Sequence, residues 1–202
     1  MSNISAAQVK ELREKTGLGL MDCKKALEGA DGNMDKAIEE LRKTSGVKAS
    51  KKSGRSAADG LIAIKNIDDQ IFMIEVNCET DFVARDDSFV EFTSQTLKSF
   101  SENPEKTLQE LMDDGIENNR EKIVHTLGEN IVVRRVAKTD GATVTGSYLH
   151  SNNKIGCIVS LDGGSHELAI DIAMHAAATD PLAISPADIP SELVEKEREI
   201  YK

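Results

Sequence analysis

The stretch "LIAIKNIDDQIFMIEVN", residues 61–77, holds two short apolar runs separated by two aspartates. Runs of this length, rich in isoleucine and flanking a polar pair, predict an antiparallel hairpin with an acidic turn. The next residues, "CETDFVARDD" (78–87), are mostly polar, and a loop after a strand is where binding residues usually lie. Because the chain has only five phenylalanines, we interpret Asp81 and Phe82 as side chains that project from this loop.

The segment after the loop is predicted to cover the hairpin. "DDSFVEFTSQTLKSFSE" (86–102) spaces three phenylalanines largely at helical intervals, which is typical of a core-facing helix, and its opening residues Asp86, Asp87 and Ser88 are candidate caps. One or two more helices and a strand, "IVVRRVAKTD", follow. Residues 60–140 therefore form the first predicted α+β subdomain.

A similar order recurs downstream, although the two sequences share little. "ATVTGSYLH" and "KIGCIVSLDGG" predict a second hairpin, and "SHELAIDIAMHAAATDP" predicts a second helix with Leu168, Ile172 and His175 in register. Residues 141–190 form the second predicted subdomain. Residues 191–202, "SELVEKEREIYK", read as one further helix with Ser191 as its cap.

The residues before the hairpin predict a separate helical unit. Within residues 1–46, three short segments carry apolar residues at helical spacing, with Ser5 as a candidate cap and Gly17 as a stop. None is long enough to be stable alone, so the three must share one core. Residues 47–59 lack apolar periodicity and cluster basic residues, which predicts a solvated linker or a minor electrostatic contact for an acidic surface.

Composition narrows the functional classes. A net charge of −10 repels phosphate backbones, so a nucleic-acid partner is disfavoured. Three cysteines, far apart and odd in number, do not predict a disulfide framework. No apolar run approaches the ~20 residues that cross a bilayer, and the N-terminus lacks the apolar core of a secretory signal. We therefore expect a cytoplasmic protein without a membrane partner.

The motifs of nucleotide-binding proteins and hydrolases are absent. The sequence has no GxxxxGK[ST], GxGxxG, HExxH or GxSxG motif. It therefore predicts no direct nucleotide site, no metal, no cofactor and no active site. Cys78 stands beside Glu79 and Asp81, whose charges should raise its thiol pKa and make it a poor nucleophile. The sequence favours a binding protein over an enzyme.

Two segments are far more specific than these patterns. "LREKTGLGLMDCKKAL" (12–27) and "EVNCETDFVAR" (75–85) closely resemble the signature segments of the translation elongation factor Ts family, and "GENIVVRRV" (128–136) and "IAMHAAA" (172–178) also look like family segments. The resemblance implies a guanine nucleotide exchange factor for elongation factor Tu. It also implies an α+β protein with an N-terminal domain similar to ubiquitin-associated domains, a linker, and two related subdomains.

The resemblance further implies roles for particular residues. Asp81 and Phe82 would enter the G domain of Tu near its magnesium site, with Thr80 and Val83 beside them. The resemblance assigns further contacts with the G domain or with domain III to Lys24, Leu127, Gly128, His150 and His175. For His175, a satisfied histidine at a helix end is nearly as good an interpretation.

Family members of the common length continue beyond residue 202 into a helical hairpin, so the second subdomain is expected to be incomplete here. Two other functions stay open: an adaptor that binds ubiquitin-like or other helical partners through the three-helix domain, and an RNA-associated protein that uses the basic segment. The sequence does not decide the oligomeric state, a homodimer included, nor a bacterial against an organellar source.

Overall fold

The computed structural model describes residues 4–141 and 144–201, and its elements follow the predicted order. Residues 1–3 of the predicted helical domain, residues 142 and 143 of the second hairpin, and Lys202 lie outside the described residues. The main elements are α1 (Ala6–Thr16), α2 (Leu20–Gly29), α3 (Met34–Lys52), β1 (Asp59–Ile67), β2 (Gln70–Cys78), α4 (Asp81–Ala84), α5 (Asp87–Glu102), α6 (Leu108–Leu111), α7 (Glu117–Leu127), β3 (Val132–Lys138), β4 (Val144–Leu149), β5 (Gly156–Leu161), α8 (His166–Thr179) and α9 (Ser191–Ile200). The predicted α+β class is confirmed.

The N-terminal helices form the predicted shared core. Ser5 caps α1 by accepting a hydrogen bond from Gln8 N at 3.3 Å, and Gly17 ends the helix with a φ of 73°. Leu12, Cys23 and Leu27 are fully buried in this core. Local signals were sufficient here because each cap and stop lies next to the helix that it bounds.

The predicted linker is wrong for residues 47–52, which continue α3. Gly46 does not end the helix. A Cβ at Gly46 would lie 3.0 Å from the Glu121 side chain on α7, because α7 packs against α3 at this point. Ala49 is 1% exposed and belongs to the core under the first sheet. The helical unit and the first subdomain therefore share α3.

The first sheet has the order β1–β2–β3, with antiparallel pairing throughout. The predicted acidic turn joins β1 to β2, with Ile67 paired to Gln70. Alternate residues of β2, among them Phe72 and Val76, are buried, which is the pattern of a strand with one face against a core. On α5, Phe89 is fully buried and Phe100 meets the ring of Phe72 edge-on at 5.4 Å. The interpretation of the α5 phenylalanines as core is confirmed, and Asp86 is the N-cap of α5.

The region between α5 and β3 holds two helices joined across a kink. Residues Met112–Ile116 connect α6 to α7, and Gly115 at the kink has a φ of 117°. α7 then ends at Gly128, which adopts a left-handed φ of 80°. This end of α7 brings the segment after it close to the end of β2.

The second subdomain contains the predicted hairpin and helix, built as a two-stranded sheet of β4 and β5 covered by α8. α8 buries Ala169 and Ala173, both fully enclosed, whereas Leu168 is 46% exposed. The predicted in-register face of Leu168, Ile172 and His175 is thus the outward face. The small residues face inward because α8 lies directly on β4, where a Cβ on Gly146 would come within 2.4 Å of the Ala169 carbonyl carbon.

Two smaller features complete the fold. β5 packs on the outer face of the first sheet through Gly156, where a Cβ would lie 2.9 Å from the Ile62 side chain. Pro190, and not the predicted Ser191, precedes the first residue of α9. Within the described ranges, every helix is too short or too polar to span a bilayer.

Candidate functional site

The segment predicted as a loop after β2 is a single helical turn, α4, and Phe82 projects from it. Thr80 is the N-cap and its hydroxyl accepts a hydrogen bond from Val83 N at 3.4 Å. Ala84 is 2% exposed and Val83 packs against the core, so the turn is anchored on its inner side. Phe82 is 82% exposed. The helical turn was not predicted because it is too short to show a period.

The start of the turn is held by a carboxylate that follows α7. Glu129 Oε2 accepts hydrogen bonds from Glu79 N and Thr80 N, both at 3.0 Å, and Oε1 accepts one from the Thr80 hydroxyl at 2.6 Å. In return, the Glu79 carboxylate accepts from Asn130 N at 2.7 Å. Sequence inspection missed Glu129, because the partners lie about fifty residues apart; only the neighbouring segment 127–128 was singled out.

Asp81 carries an internal partner that was also missed. Its carboxylate pairs with Arg85 at 2.8 Å, one helical turn away, and both side chains are substantially exposed. Exposed pairs of this kind contribute only ~0.2–1 kcal/mol, so the carboxylate can exchange this partner for another at little cost. Asp81 is therefore available for an external contact.

Leu127 and Gly128 end α7 and directly precede Glu129, the residue that binds the start of the turn. Leu127 is half-buried against the core of the first subdomain. The Gly128 carbonyl accepts a hydrogen bond from the Lys52 ammonium on α3. Because Glu129 follows directly and bonds to Thr80, the segment 127–129 and α4 form one connected surface.

Lys48 and Lys52, part of the predicted linker, make contacts within the chain. Lys48 pairs with Asp22 at 3.5 Å and contacts His125, Lys52 binds Gly128, and Arg55 pairs with Glu79 at 3.4 Å. These cations already have carboxylate, carbonyl or imidazole partners. Lys51, the remaining cation of the segment, is exposed, so these contacts reduce but do not remove the charge that the segment offers to RNA.

His125, a residue to which the sequence assigned no role, lies at the junction of α2, α3 and α7. Its side chain is 2% exposed; Nδ1 lies 2.8 Å from Ser45 Oγ, and Nε2 faces the Lys48 ammonium and lies 3.0 Å from Asp22 Oδ2. Burial and the neighbouring Lys48 charge lower the pKa of His125 below its usual 6.5. The hydrogen bond and charge of Asp22 oppose this shift without cancelling it.

We expect acid to destabilise the chain through His125. The pKa of His125 is lower in the folded chain than in the unfolded chain, so protonation favours the unfolded chain. The contribution of the neutral ring to the free energy of unfolding is therefore present above about pH 6.5 and is lost as the pH falls through the folded-state pKa. Burial alone would raise the pKa of Asp22, but His125 and Lys48 lower it overall from 3.8, so Asp22 stays ionised in this range. Urea unfolding at about pH 7.5 and 5.5 measures the effect. His125→Gln should reduce the difference in the free energy of unfolding between the two pH values, whereas His166→Gln, at an exposed histidine, should not. The same pH-dependent difference in wild type and in His125→Gln would contradict the expectation.

The other residues named by the resemblance lie on three separate elements. Lys24 is exposed on α2 and pairs with Glu28 at 3.8 Å. His150 is exposed where β4 ends, with Nδ1 2.9 Å from the Tyr148 hydroxyl. His175 is exposed four residues before the end of α8, and within residues 4–141 and 144–201 its ring makes no hydrogen bond. The satisfied-histidine interpretation therefore finds no support in these contacts.

These elements are connected to the turn to different degrees. α2 is joined to α7 by Asp22 and His125, and α7 leads to Glu129 and the turn. The β4–β5 turn binds the start of the first hairpin, through Asn153 O, which accepts from Ile62 N at 2.7 Å, and through an ion pair of Lys154 with Asp59 at 2.8 Å. α8 packs on β4 and β5.

Cys78, the last residue of β2, is poorly suited to act as a nucleophile. Burial, followed by the charges of Glu129 and Asp59, raises the pKa of the Cys78 thiol to about 12. The predicted direction holds, but these carboxylates, and not Glu79 and Asp81, are the main charged neighbours. Across the described part of the chain, no three side chains of His, Cys, Asp or Glu are grouped in a way that could hold a metal ion.

Comparison with known proteins identifies close relatives. A family model described as "Elongation factor TS" matches residues 79–202. The chain is 54% identical to elongation factor Ts of Marinobacter nauticus over 204 residues, covering 100% of this chain and 70% of the relative. It is 50% identical to elongation factor Ts of Hahella chejuensis (100% and 71% covered) and 50% identical to that of Saccharophagus degradans (98% and 70% covered). The chain thus spans about 70% of the length of these relatives.

Proposed function

Because the chain belongs to the elongation factor Ts family, we propose that it is a guanine nucleotide exchange factor that accelerates the release of GDP from elongation factor Tu. It performs this role in the cytoplasm, during translation, with no active site of its own. The observation that carries the proposal is Phe82, an aromatic side chain 82% exposed on a turn whose inner side is anchored in the core.

Exchange requires a preference for one state of the partner. A GTPase holds its nucleotide through backbone amides around the phosphates and through a magnesium ion. Any protein that binds the nucleotide-free form more tightly must weaken nucleotide binding by the same factor. A shift of about 10⁴ requires ~5.5 kcal/mol of differential contact. One surface charge cannot supply that much.

We assign the largest share of this differential contact energy to Phe82. Aromatic anchors buried in a partner's pocket dominate interface energetics, at ~2 kcal/mol or more each. Phe82 enters the G domain near its magnesium site, and Asp81 accepts hydrogen bonds from groups displaced there. Thr80 and Val83 border this contact and hold the turn through their bonds and packing inside the chain. The contact energy is then not spent on ordering a flexible segment.

The wider contact surface holds the anchor in place. We propose that Leu127 and Gly128 contact the G domain beside the turn, that Lys24 contacts it from α2, and that His150 and His175 approach domain III. The connection of α2 and α7 to the turn supports the first three of these contacts. His150 and His175 depend on the resemblance alone.

The direct test uses elongation factor Tu loaded with a fluorescent GDP. In the presence of excess unlabelled GDP, addition of this chain should accelerate the loss of fluorescence in proportion to its concentration. No acceleration at concentrations at which the two proteins form a complex would contradict the proposed function. Binding of ubiquitin-like proteins by the chain without any effect on GDP release would favour the adaptor.

Lys24→Ala should weaken complex formation with Tu by about 2- to 5-fold at low salt, and by less at high salt, because exposed charges contribute ~0.2–1 kcal/mol and are screened. The matched control is Lys10→Ala, which removes a lysine from an exposed i, i+4 pair of the same 3.8 Å length on α1. Titration by fluorescence or calorimetry at several salt concentrations gives the affinities. Equal losses for the two variants would remove Lys24 from the interface.

A further inference from the structure

Glu129 makes a concentrated set of contacts with the turn. Its two carboxylate oxygens accept three hydrogen bonds, from two consecutive backbone amides and from the side chain of the N-cap residue Thr80. Hydrogen bonds to an ionised acceptor are roughly twice as strong as neutral ones. The bond to the Thr80 hydroxyl also fixes the side chain that caps Val83 N. One carboxylate thus controls the position of the first residues of α4.

The contact is reciprocal, which makes it stiff. Glu79, whose amide is bound by Glu129, uses its own carboxylate to accept from Asn130 N at 2.7 Å. Asn130 is 2% exposed and its side-chain amide donates to Arg55 O at 2.8 Å. Each of the two adjacent glutamates therefore binds the backbone beside the other. The end of β2 and the segment after α7 cannot move independently.

We propose that Glu129 is a positioning residue for exchange: it holds α4 in the conformation that presents Phe82 and joins that turn rigidly to Leu127 and Gly128. The inference rests on the proposed function, because it concerns how the anchor is presented to Tu. Without the carboxylate, two backbone amides and one hydroxyl lose their acceptor, and the turn must be ordered when the partner binds. That ordering reduces the affinity without removing any group that touches Tu.

Glu129→Ala should lower the second-order rate constant of stimulated GDP release about tenfold, a loss of ~1.4 kcal/mol. Glu129→Gln keeps the shape and one acceptor oxygen, so it should retain most of the activity and lose about threefold. The matched control is Glu110→Ala: Glu110 accepts from Thr107 N and from the Thr107 hydroxyl, both at 2.8 Å, at the start of α6, which has four residues like α4. Glu110→Ala should leave exchange unchanged.

A double-mutant cycle separates positioning from general stability. If Glu129 acts through Phe82, Glu129→Ala should have little further effect on exchange in a Phe82→Ala background, whereas a general loss of stability would add to the effect of Phe82→Ala. Additive effects, or unchanged exchange by Glu129→Ala alone, would overturn the proposal.

Amide hydrogen exchange of the free chain gives a second measurement that needs no Tu. Protection of the Glu79 and Thr80 amides should fall in Glu129→Ala and return largely in Glu129→Gln, while amides in the α5 core keep their protection. Unchanged protection of the two amides would overturn the proposal even if the chain proved active. Conversely, a wild-type chain with no exchange activity but with these protection changes would count against the proposed function and leave the structural role of Glu129 standing.

Discussion

Phe82→Ala should lower stimulated GDP release from elongation factor Tu by about 30-fold or more while leaving the fold intact. Loss of a buried aromatic anchor costs ~2 kcal/mol or more at an interface, and each ~1.4 kcal/mol is tenfold. In the free chain the ring is 82% exposed, and replacement of such a side chain changes stability by ~0.5 kcal/mol at most. Stopped-flow release of fluorescent GDP gives the first quantity, and thermal unfolding gives the second.

The matched control for Phe82 is Tyr201→Ala, which removes an aromatic side chain of similar exposure, 88%, from the end of α9. It should leave exchange within about twofold of wild type, since exposed side chains away from an interface contribute little. Phe82→Leu should retain part of the activity, because it keeps much of the apolar volume. Wild-type exchange by Phe82→Ala would contradict the assignment of Phe82 as the anchor.

Asp81 provides a ranking within the same turn. Asp81→Ala removes an exposed pair with Arg85 and one acceptor for the partner, so it should cost less than Phe82→Ala. A larger loss for Asp81 than for Phe82 would reverse the proposed roles: electrostatic displacement at the magnesium site would then dominate over apolar insertion.

The parts of the fold that the sequence predicts well are those with local signals. The first hairpin is indicated by two apolar runs and by the polar turn between them. α5 is indicated by phenylalanines at helical spacing that all face one core. Ser5 and Gly17 lie at the ends of the helix that they bound. In each case the deciding interaction joins residues a few positions apart, or a periodicity reports a single buried face.

The features that were missed depend on distant partners. α3 continues past Gly46 because α7 packs against it, and no residue within 47–52 indicates that contact. His125 meets Asp22 about a hundred positions away, and Glu129 meets Thr80 about fifty positions away. A polar residue with such a partner looks like any other surface residue in sequence. The family resemblance named Leu127 and Gly128, which precede Glu129, but it gave no structural reason for their role.

The inward face of α8 shows a limit of periodicity itself. Larger apolar residues usually mark the buried face, yet Ala169 is enclosed while Leu168 is 46% exposed. Gly146 on the facing strand allows a very close approach, and only small side chains fit there. The helix therefore contacts its sheet through small residues, and its larger apolar side chains face outward.

Gly60→Ala should destabilise the chain by ~2–6 kcal/mol, because it combines two costs. Gly60 has a φ of +145°, where a residue with a Cβ is strained by ~1–3 kcal/mol. The new Cβ would also lie 2.2 Å from Val76 O and 2.7 Å from Asn77 Cα on the paired strand β2, and overpacking of this kind costs ~1–3 kcal/mol. For a chain of this size the melting temperature should fall by roughly 4–24 °C.

Gly54→Ala is the matched control for this effect, because it adds the same methyl group where no atom lies within 4 Å, and its melting temperature should stay close to wild type.

The position of Gly60 also predicts an effect on nucleotide exchange. Gly60 pairs with Asn77, next to the end of the strand that carries α4, so any shift that relieves the clash must move the base on which Phe82 is mounted. Folded Gly60→Ala, measured well below its melting temperature, should therefore exchange GDP more slowly than Gly54→Ala. Normal stability with normal exchange would mean that the β1–β2 pair adapts freely, and a rigid mount for Phe82 could then no longer account for its effect.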